Sequence, residues 1–246
     1  MDISGKTALV TGAARRLGKA CALALAREKA CIVLHYNRSE KDALETAEEI
    51  RAMGTEVLLV KADLDRPEET EKLYRESLKL TGTLDILINS ASVFPEGNFS
   101  GALAEDFLRC SRIHTLSPFL LSRHMASQNK AGVIVNFLDA RITDYDREHL
   151  PYHISKRELF TLTRALSLEL APLIRVNGVA PGLILPPPGK NDKYLEERKE
   201  TNPLKMIGTE KEITETVLFL VKNDFITGQI IFVDGGRHLK GSVYGL

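Results

Sequence analysis

The chain has 246 residues, 43% of them hydrophobic and 27% charged, which excludes a disordered chain and leaves room for a large core. Lys plus Arg and Asp plus Glu number 33 each, so the formal net charge is zero, without the basic excess a nucleic-acid binder carries. Three cysteines make no disulfide framework, residues 1–5 lack the basic and apolar regions of a secretory leader, and no apolar run nears the roughly 20 residues that span a bilayer; the expected setting is cytoplasmic, with no membrane or nucleic-acid partner.

In chain order, the apolar run at residues 7–11 predicts a strand, and the apolar spacing over 17–29 predicts a helix. A run at 31–35, an amphipathic helix over 41–53 closed by Gly54, and a run at 57–60 follow. Next come a polar helix over 67–80 with Pro67 in its first turn, a strand at 84–88, and a long helix over 103–128 that Pro118 should kink. A strand at 132–138, a helix over 151–170, a strand at 174–177, a helix over 213–221 and a strand at 230–233 complete the series. Short apolar strands alternating with helices are βαβ units. The expected fold is therefore α/β, one doubly wound domain over 1–246 with a seven-stranded parallel sheet covered by helices on both faces. Residues 182–203 break the rhythm, proline-rich at 185–189 and strongly charged at 190–200. A long connection after a strand's C-terminal end, where such sheets bind ligands, reads as a substrate lid, with a plain solvated excursion as the alternative.

The first strand-to-helix turn runs Thr11-Gly12-Ala13-Ala14-Arg15-Arg16-Leu17-Gly18. Gly12 permits a tight turn, Gly18 lets the helix approach the sheet, and the free N–H groups of the helix N-terminus suit a pyrophosphate. Arg16 stands where the middle glycine of such a turn is expected. At the end of the second strand, His35-Tyr36-Asn37-Arg38-Ser39 offers a cation and hydroxyls where an NAD site would carry a carboxylate. A bidentate Arg38 contact to a 2′-phosphate favours NADPH/NADP; Arg38 as a bare surface charge is the alternative. Asp63-Leu64 and Asn89 end the third and fourth strands and serve equally as cofactor contacts or as turn formers.

Tyr152 and Lys156 are four apart and share one helix face. A free phenol keeps its proton at neutral pH. A nearby ammonium favours the phenolate, so Lys156 is expected to lower the Tyr152 pKa and prepare it as the general acid of a reduction. The six His and three Cys show no ligand spacing, and no metal is expected. Arg141, Asp144 and Tyr145 follow the catalytic strand and either line a pocket or are loop polarity.

Together the Thr11-Gly12…Gly18 turn, Asn89-Ser90-Ala91, Tyr152…Lys156, Asn177-Gly178-Val179-Ala180-Pro181-Gly182 and Thr227-Gly228-Gln229…Val233-Asp234-Gly235-Gly236 resemble the short-chain dehydrogenase/reductase family over essentially the whole chain. The resemblance implies a Rossmann-type fold, nicotinamide-dependent oxidoreduction and a homotetramer. It also implies that Lys156 holds the nicotinamide ribose and that Pro181, Gly182 and Ile184 lie at the cofactor. Where most members have a carbonyl-polarising Ser before the Tyr, this chain has Asp139. The glycine turn, His35 to Ser39, and Asn89-Ser90-Ala91-Ser92-Val93-Phe94 are more narrowly similar to pteridine reductases. That similarity implies that Arg16 lies near cofactor phosphates and substrate, that Ser92 contacts cofactor or pterin, that Phe94 stacks on a pterin ring, and that Asp139, Tyr152 and Lys156 are catalytic. An ionised Asp139 would repel the oxyanion that forms when a ketone is reduced, whereas it suits a C=N bond whose nitrogen takes up a proton; capping a turn before Arg141 is its other reading. Three residues depart from the pattern: His114 stands for the family's Asn, whose backbone helps hold a water at the Lys, Ser90 for its second Asn, and Ile184 for a pteridine reductase Ser.

The expected function is thus NADPH-dependent reduction of a pterin or folate-like C=N bond. A carbonyl reductase acting on 3-oxoacyl or small-ketone substrates is the alternative, and a non-catalytic NADP(H)-binding sensor is the alternative of another class.

Overall fold

Seven strands form one all-parallel sheet in the order β3-β2-β1-β4-β5-β6-β7 in the computed structural model, which describes residues 1–240. They are β1 (Thr7–Thr11), β2 (Cys31–Tyr36), β3 (Val57–Lys61), β4 (Ile86–Asn89), β5 (Gly132–Phe137), β6 (Ile174–Pro181) and β7 (Ile230–Val233). The helices are α1 (Arg16–Arg27), α2 (Glu40–Ala52), α3 (Pro67–Thr81), α4 (Ala104–Ser111), α5 (Ser117–Ala126), α6 (Leu150–Glu169), α7 (Asp192–Glu196) and α8 (Glu210–Lys222).

Strand side chains alternate between the two faces, and both faces are buried. Ala8, Val10, Ile32, Leu34, Ile86, Ile88, Val133 and Val135 pack under α1, α2 and α8. Leu9, Val33, Leu87, Ile134 and Val176 pack under α3, α5 and α6. This two-sided cover explains why the strands read as continuous apolar runs rather than as alternating ones.

The long helix expected over 103–128 is two helices joined by a π-helical turn, Arg112–Leu116. Pro118 has no N–H to return to the His114 carbonyl, so the ladder resets just before it: the Ser117 N–H reaches back five residues to the Arg112 carbonyl. The connection after β6 also differs from an unstructured excursion. It holds α7 and a 3-10 turn, Lys199–Thr201, and it is anchored by buried Leu195 and Asn202. Among the described residues no helix is long and apolar enough to cross a membrane.

The sheet order reverses direction around β1, which pairs with β2 on one side and β4 on the other. Thr11, Asn89, Asn136 and Gly178 lie side by side across the C-terminal edge. A crevice at that reversal is where open α/β sheets bind ligands.

Candidate active site

The β1–α1 turn is shaped by two glycines. Gly12 has φ +66°, and a Cβ there would come within 2.8 Å of the Ala91 Cα. At Gly18 a Cβ would collide with the Gly12 carbonyl, so the helix approaches the turn as closely as backbone allows. Arg16, in place of the missing glycine, adopts the left-handed conformation itself, with φ +57°. Its guanidinium donates to the Pro186 carbonyl at 2.7 Å and so ties the turn to the segment after β6. The first turn of α1 carries no acidic side chain, and its leading N–H groups have no partner within the helix. Thr11 fixes the facing loop: its Oγ1 accepts the Ser90 and Ala91 N–H groups at 3.0 and 3.1 Å.

His35 corrects an expectation. It is 2% exposed and faces the protein, not a cofactor. Its Nδ1 accepts the Gly12 N–H at 3.0 Å, so the neutral ring donates from Nε2 to the Ala62 carbonyl at 3.1 Å. The imidazole is a brace beneath the phosphate turn. Burial pushes its pKa down to about 4. The unfolded chain therefore takes up this proton first as pH falls. Stability contributed by His35 is full above pH ~6.5 and lost as pH falls towards ~4, amounting to about 3 kcal/mol. Urea unfolding midpoints of the wild type should fall over that window, and His35→Gln should show a shallower fall; an unchanged slope would refute the assignment.

The rest of the second-strand segment divides between surface and structure. Arg38 is exposed and makes no ion pair or hydrogen bond among the described residues, while Glu40 lies 4.0 Å from Lys61. Asn37 donates to Asp63 at 2.9 Å, which brings the ends of β2 and β3 together. Tyr36 belongs to the core beneath α1 and α2, Leu64 to the core on the other face, and Ser39 precedes α2 without capping it by its side chain. Asn89 donates to Asn136 at 2.8 Å, and its Oδ1 is buried without a hydrogen-bond partner. A buried acceptor left open at this edge and an acid-free helix N-terminus beside the tight Gly12 turn fit a dinucleotide. Gly182 closes on Asp234, leaving no room for a Cβ between them. Ile184 also departs from expectation, because its side chain is 6% exposed and packs into the core; only its backbone remains for a cofactor contact.

At the C-terminal ends of β5 and α6's first turns the catalytic candidates meet. The Tyr152 hydroxyl donates to Asp139 Oδ2 at 2.8 Å, while Asp139 Oδ1 accepts the Arg141 N–H at 2.8 Å. Asp139 thus does both things open to it in sequence: one oxygen caps the following turn and the other holds the phenol. Lys156 is 3% exposed and donates to the Phe137 carbonyl at 2.7 Å, with its ammonium 5.6 Å from the Tyr152 ring centroid. The expected direction for Tyr152 is reversed. Burial first, and then the Asp139 carboxylate, push its hydroxyl well above the ordinary range, so it keeps its proton. Burial pushes Lys156 down to about 8, against the pull of Asp139.

Phe94, His149, Asp146 and Arg141 complete this site, and sequence reading did not single out Asp146 or His149. Phe94 stacks face to face on His149, with centroids 3.9 Å apart, and meets Tyr152 edge-on at 4.6 Å. His149 Nδ1 lies 3.3 Å from Asp146, which also takes the Arg141 guanidinium at 2.9 Å. Burial works against the Asp146 charge, but His149, the Glu148 N–H and Arg141 outweigh it and hold the carboxyl well below the usual carboxylate range. Arg141, left open in sequence between pocket and loop, is the strut that holds Asp146. The spacing Asp146-x-x-His149 just before a helix was the available signal: Asp146 Oδ1 accepts the Glu148 and His149 N–H groups. Ser92, expected at the ligand, is exposed and lies 3.0 Å from His114 Nε2. Among the described residues no group of His, Cys, Asp and Glu is arranged to hold a metal ion.

Comparison with known proteins places this geometry among relatives. The family model for enoyl-(acyl carrier protein) reductase matches residues 12–238. A (2S)-[(R)-hydroxy(phenyl)methyl]succinyl-CoA dehydrogenase subunit of Thauera aromatica is 34% identical over 97% of this chain and 99% of its own. The crystal structure of FolM alternative dihydrofolate reductase 1 from Brucella canis, complexed with NADP, superposes with a TM-score of 0.91 at 32% identity, covering 97% of this chain and 96% of that one. A short-chain dehydrogenase/reductase of Serratia marcescens superposes with a TM-score of 0.90 at 28% identity, covering 97% and 100%.

Proposed function

The chain belongs to the short-chain dehydrogenase/reductase family of oxidoreductases, and from that premise we propose that it is an NADPH-dependent reductase acting on the C=N bond of a pterin or dihydrofolate-type substrate. The observation that carries this reading is the Tyr152–Asp139 hydrogen bond at 2.8 Å. A carboxylate takes the place of a neutral hydroxyl donor beside the acid, and Phe94 offers a ring at its edge.

NADPH supplies the hydride when bound. The α1 N-terminus with Gly12, Arg15, Arg16, Leu17 and Gly18 would hold its pyrophosphate, Arg38 the 2′-phosphate, Asp63 and Leu64 the adenine, and Asn89, Ser90, Ala91, Pro181, Gly182 and the Ile184 backbone the nicotinamide half. The NADP bound to the Brucella canis relative supports this choice of cofactor. Tyr152, kept protonated by burial and Asp139, delivers its proton to the nitrogen that becomes basic as the C=N bond is reduced, and a proton from solvent, relayed through the Asp139 carboxylate, restores the phenol. Lys156, fixed on the Phe137 carbonyl, supplies positive charge under the ring that transiently becomes a phenolate. Residues 182–203 act as a lid whose latch is the Arg16–Pro186 bond.

The test is NADPH oxidation with dihydrobiopterin, dihydrofolate and an acetoacetyl thioester side by side. Turnover confined to the pterins supports the reading, and turnover of the thioester alone overturns it. The second reading, a carbonyl reductase, is favoured by one observation: the Thauera aromatica relative is named for an acyl-CoA hydroxyl group.

Arg38→Ala should weaken NADPH by about 10- to 100-fold and NADH hardly at all, since a charge-assisted contact is worth roughly 1.5–3 kcal/mol and only NADPH has the 2′-phosphate. Equal loss for both cofactors, measured by titration of binding, would remove Arg38 from the site. The homotetramer and the cytoplasmic setting also belong to this proposal. Exposed Leu108, Leu116 and Phe119 on the α4–α5 arm supply apolar area for assembly, which light scattering would measure.

A further inference from the structure

The π-helical turn places His114 between two segments that the proposed reaction must keep in register. Its Nε2 accepts the Val93 N–H at 3.1 Å. A backbone N–H only donates, so Nε2 carries no proton and Nδ1 does. Nδ1 donates to Ser155 Oγ at 2.8 Å, and that hydroxyl donates onward to the Tyr152 carbonyl at 2.7 Å. The ring is 1% exposed and stands edge-on to Tyr152, with centroids 5.5 Å apart. Burial first, and then the Lys156 charge, keep it neutral.

The far end of this linkage is a segment in which the Val93 and Phe94 side chains are packed but the backbone makes few hydrogen bonds. The Ala91 N–H bonds to Thr11 and the Gly97 N–H to the Glu148 carbonyl. Between them, Val93 is the only residue whose backbone N–H has a protein partner among the described residues, and that partner is His114. Phe94 follows directly. An Asn at position 114 would reach Ser155, but its shorter side chain would end one bond short of Val93.

We propose that His114 is a positioning residue that couples the Phe94 segment to the catalytic helix α6, and so sets the substrate-stacking ring against Tyr152. The proposal rests on the reading of Phe94 as the surface that receives a flat substrate. It gives the departure from the family's Asn a purpose distinct from holding a water.

The test compares His114→Ala, His114→Asn and His114→Gln in the full chain, by steady-state kinetics with NADPH and dihydrobiopterin and by titration of NADPH binding. Gln extends an amide oxygen to about the position of Nε2, whereas Asn does not. Ala and Asn are expected to raise KM for the pterin about 10- to 100-fold with a smaller change in kcat, because a loosened stacking surface mispositions substrate. NADPH affinity should stay within about two-fold, and Gln, which keeps the Val93 bond and gives up the Ser155 bond, should recover part of the loss. An unchanged KM in His114→Ala, or Asn performing as well as Gln, overturns the proposal; a merely structural role would lower stability in all three without this order. If the wild type turns over only the thioester, the pterin reading fails by itself. The same series is then read on the thioester, where unchanged KM values overturn the positioning role.

Discussion

Replacing Tyr152 by Phe should lower kcat by about 10³-fold while NADPH binding stays within about two-fold, since a positioned general acid contributes roughly 10²–10⁴. Phe preserves the ring that meets Phe94 at 4.6 Å and His114 at 5.5 Å, and it removes only the hydroxyl that donates to Asp139. The variant therefore isolates proton delivery from packing. A further expectation follows from the direction of the Tyr152 shift: because burial and Asp139 hold the proton on, the free enzyme starts in the form that reduction needs. Single-turnover NADPH oxidation measures the loss. A Phe variant that keeps its full rate on every substrate tested would mean that Tyr152 is not the acid; a wild type that turns over none of them would revive the sensor alternative.

Asp139→Ser should lower pterin turnover by about 10²-fold, leave NADPH affinity nearly unchanged and raise activity on the thioester. Serine restores a neutral donor beside the acid, which suits a developing oxyanion, and it removes the anion that shares the Tyr152 proton. The same change also weakens the cap on the Arg141 N–H, so Asp139→Asn is the companion variant. Asn keeps one acceptor, its amide oxygen, for the Arg141 N–H, presents a donor NH2 to Tyr152 in place of the second carboxylate oxygen, and takes no proton. If Asn behaves like the wild type on pterins, the carboxylate is only a scaffold. If Asn falls with Ser, its proton chemistry is established. The kcat ratio of pterin to thioester across the three proteins is the quantity to compare.

The two variants also separate the substrate readings. A carbonyl reductase that happened to carry Asp139 would gain from Ser and lose nothing on pterins, because it would have no pterin turnover to lose. The neighbouring Arg141–Asp146 pair should be unaffected in either variant, since it is held by a 2.9 Å ion pair and by the backbone at residues 148 and 149.

What the sequence determined by itself was whatever is local in its physics. Strand runs such as Thr7–Thr11 and Cys31–Tyr36 are buried on both faces, so their apolar continuity was visible without knowing what covers them. The glycine turn was legible because a positive φ at Gly12 and contact at Gly18 leave only one residue type. Tyr152 and Lys156 share a helix face by spacing alone. Tertiary structure decided the rest, because it depends on which distant groups meet. His35 read as a ligand because it ends a strand at the binding edge; only the approach of Gly12 and Ala62 to its two nitrogens makes it a brace. The sign of the Tyr152 shift turned on burial first, and then on Asp139, thirteen residues away, which holds the hydroxyl while the Lys156 ammonium is drawn to the Phe137 carbonyl. The ring formed by Phe94, His149, Asp146 and Arg141 joins two loops that no periodicity relates. Pro118 announced a break, but the form of the break, a π-turn that delivers His114 to Val93 and Ser155, follows from packing against α6. Local backbone preference is written residue by residue, whereas a buried polar contact is set by the three-dimensional neighbours that must satisfy it.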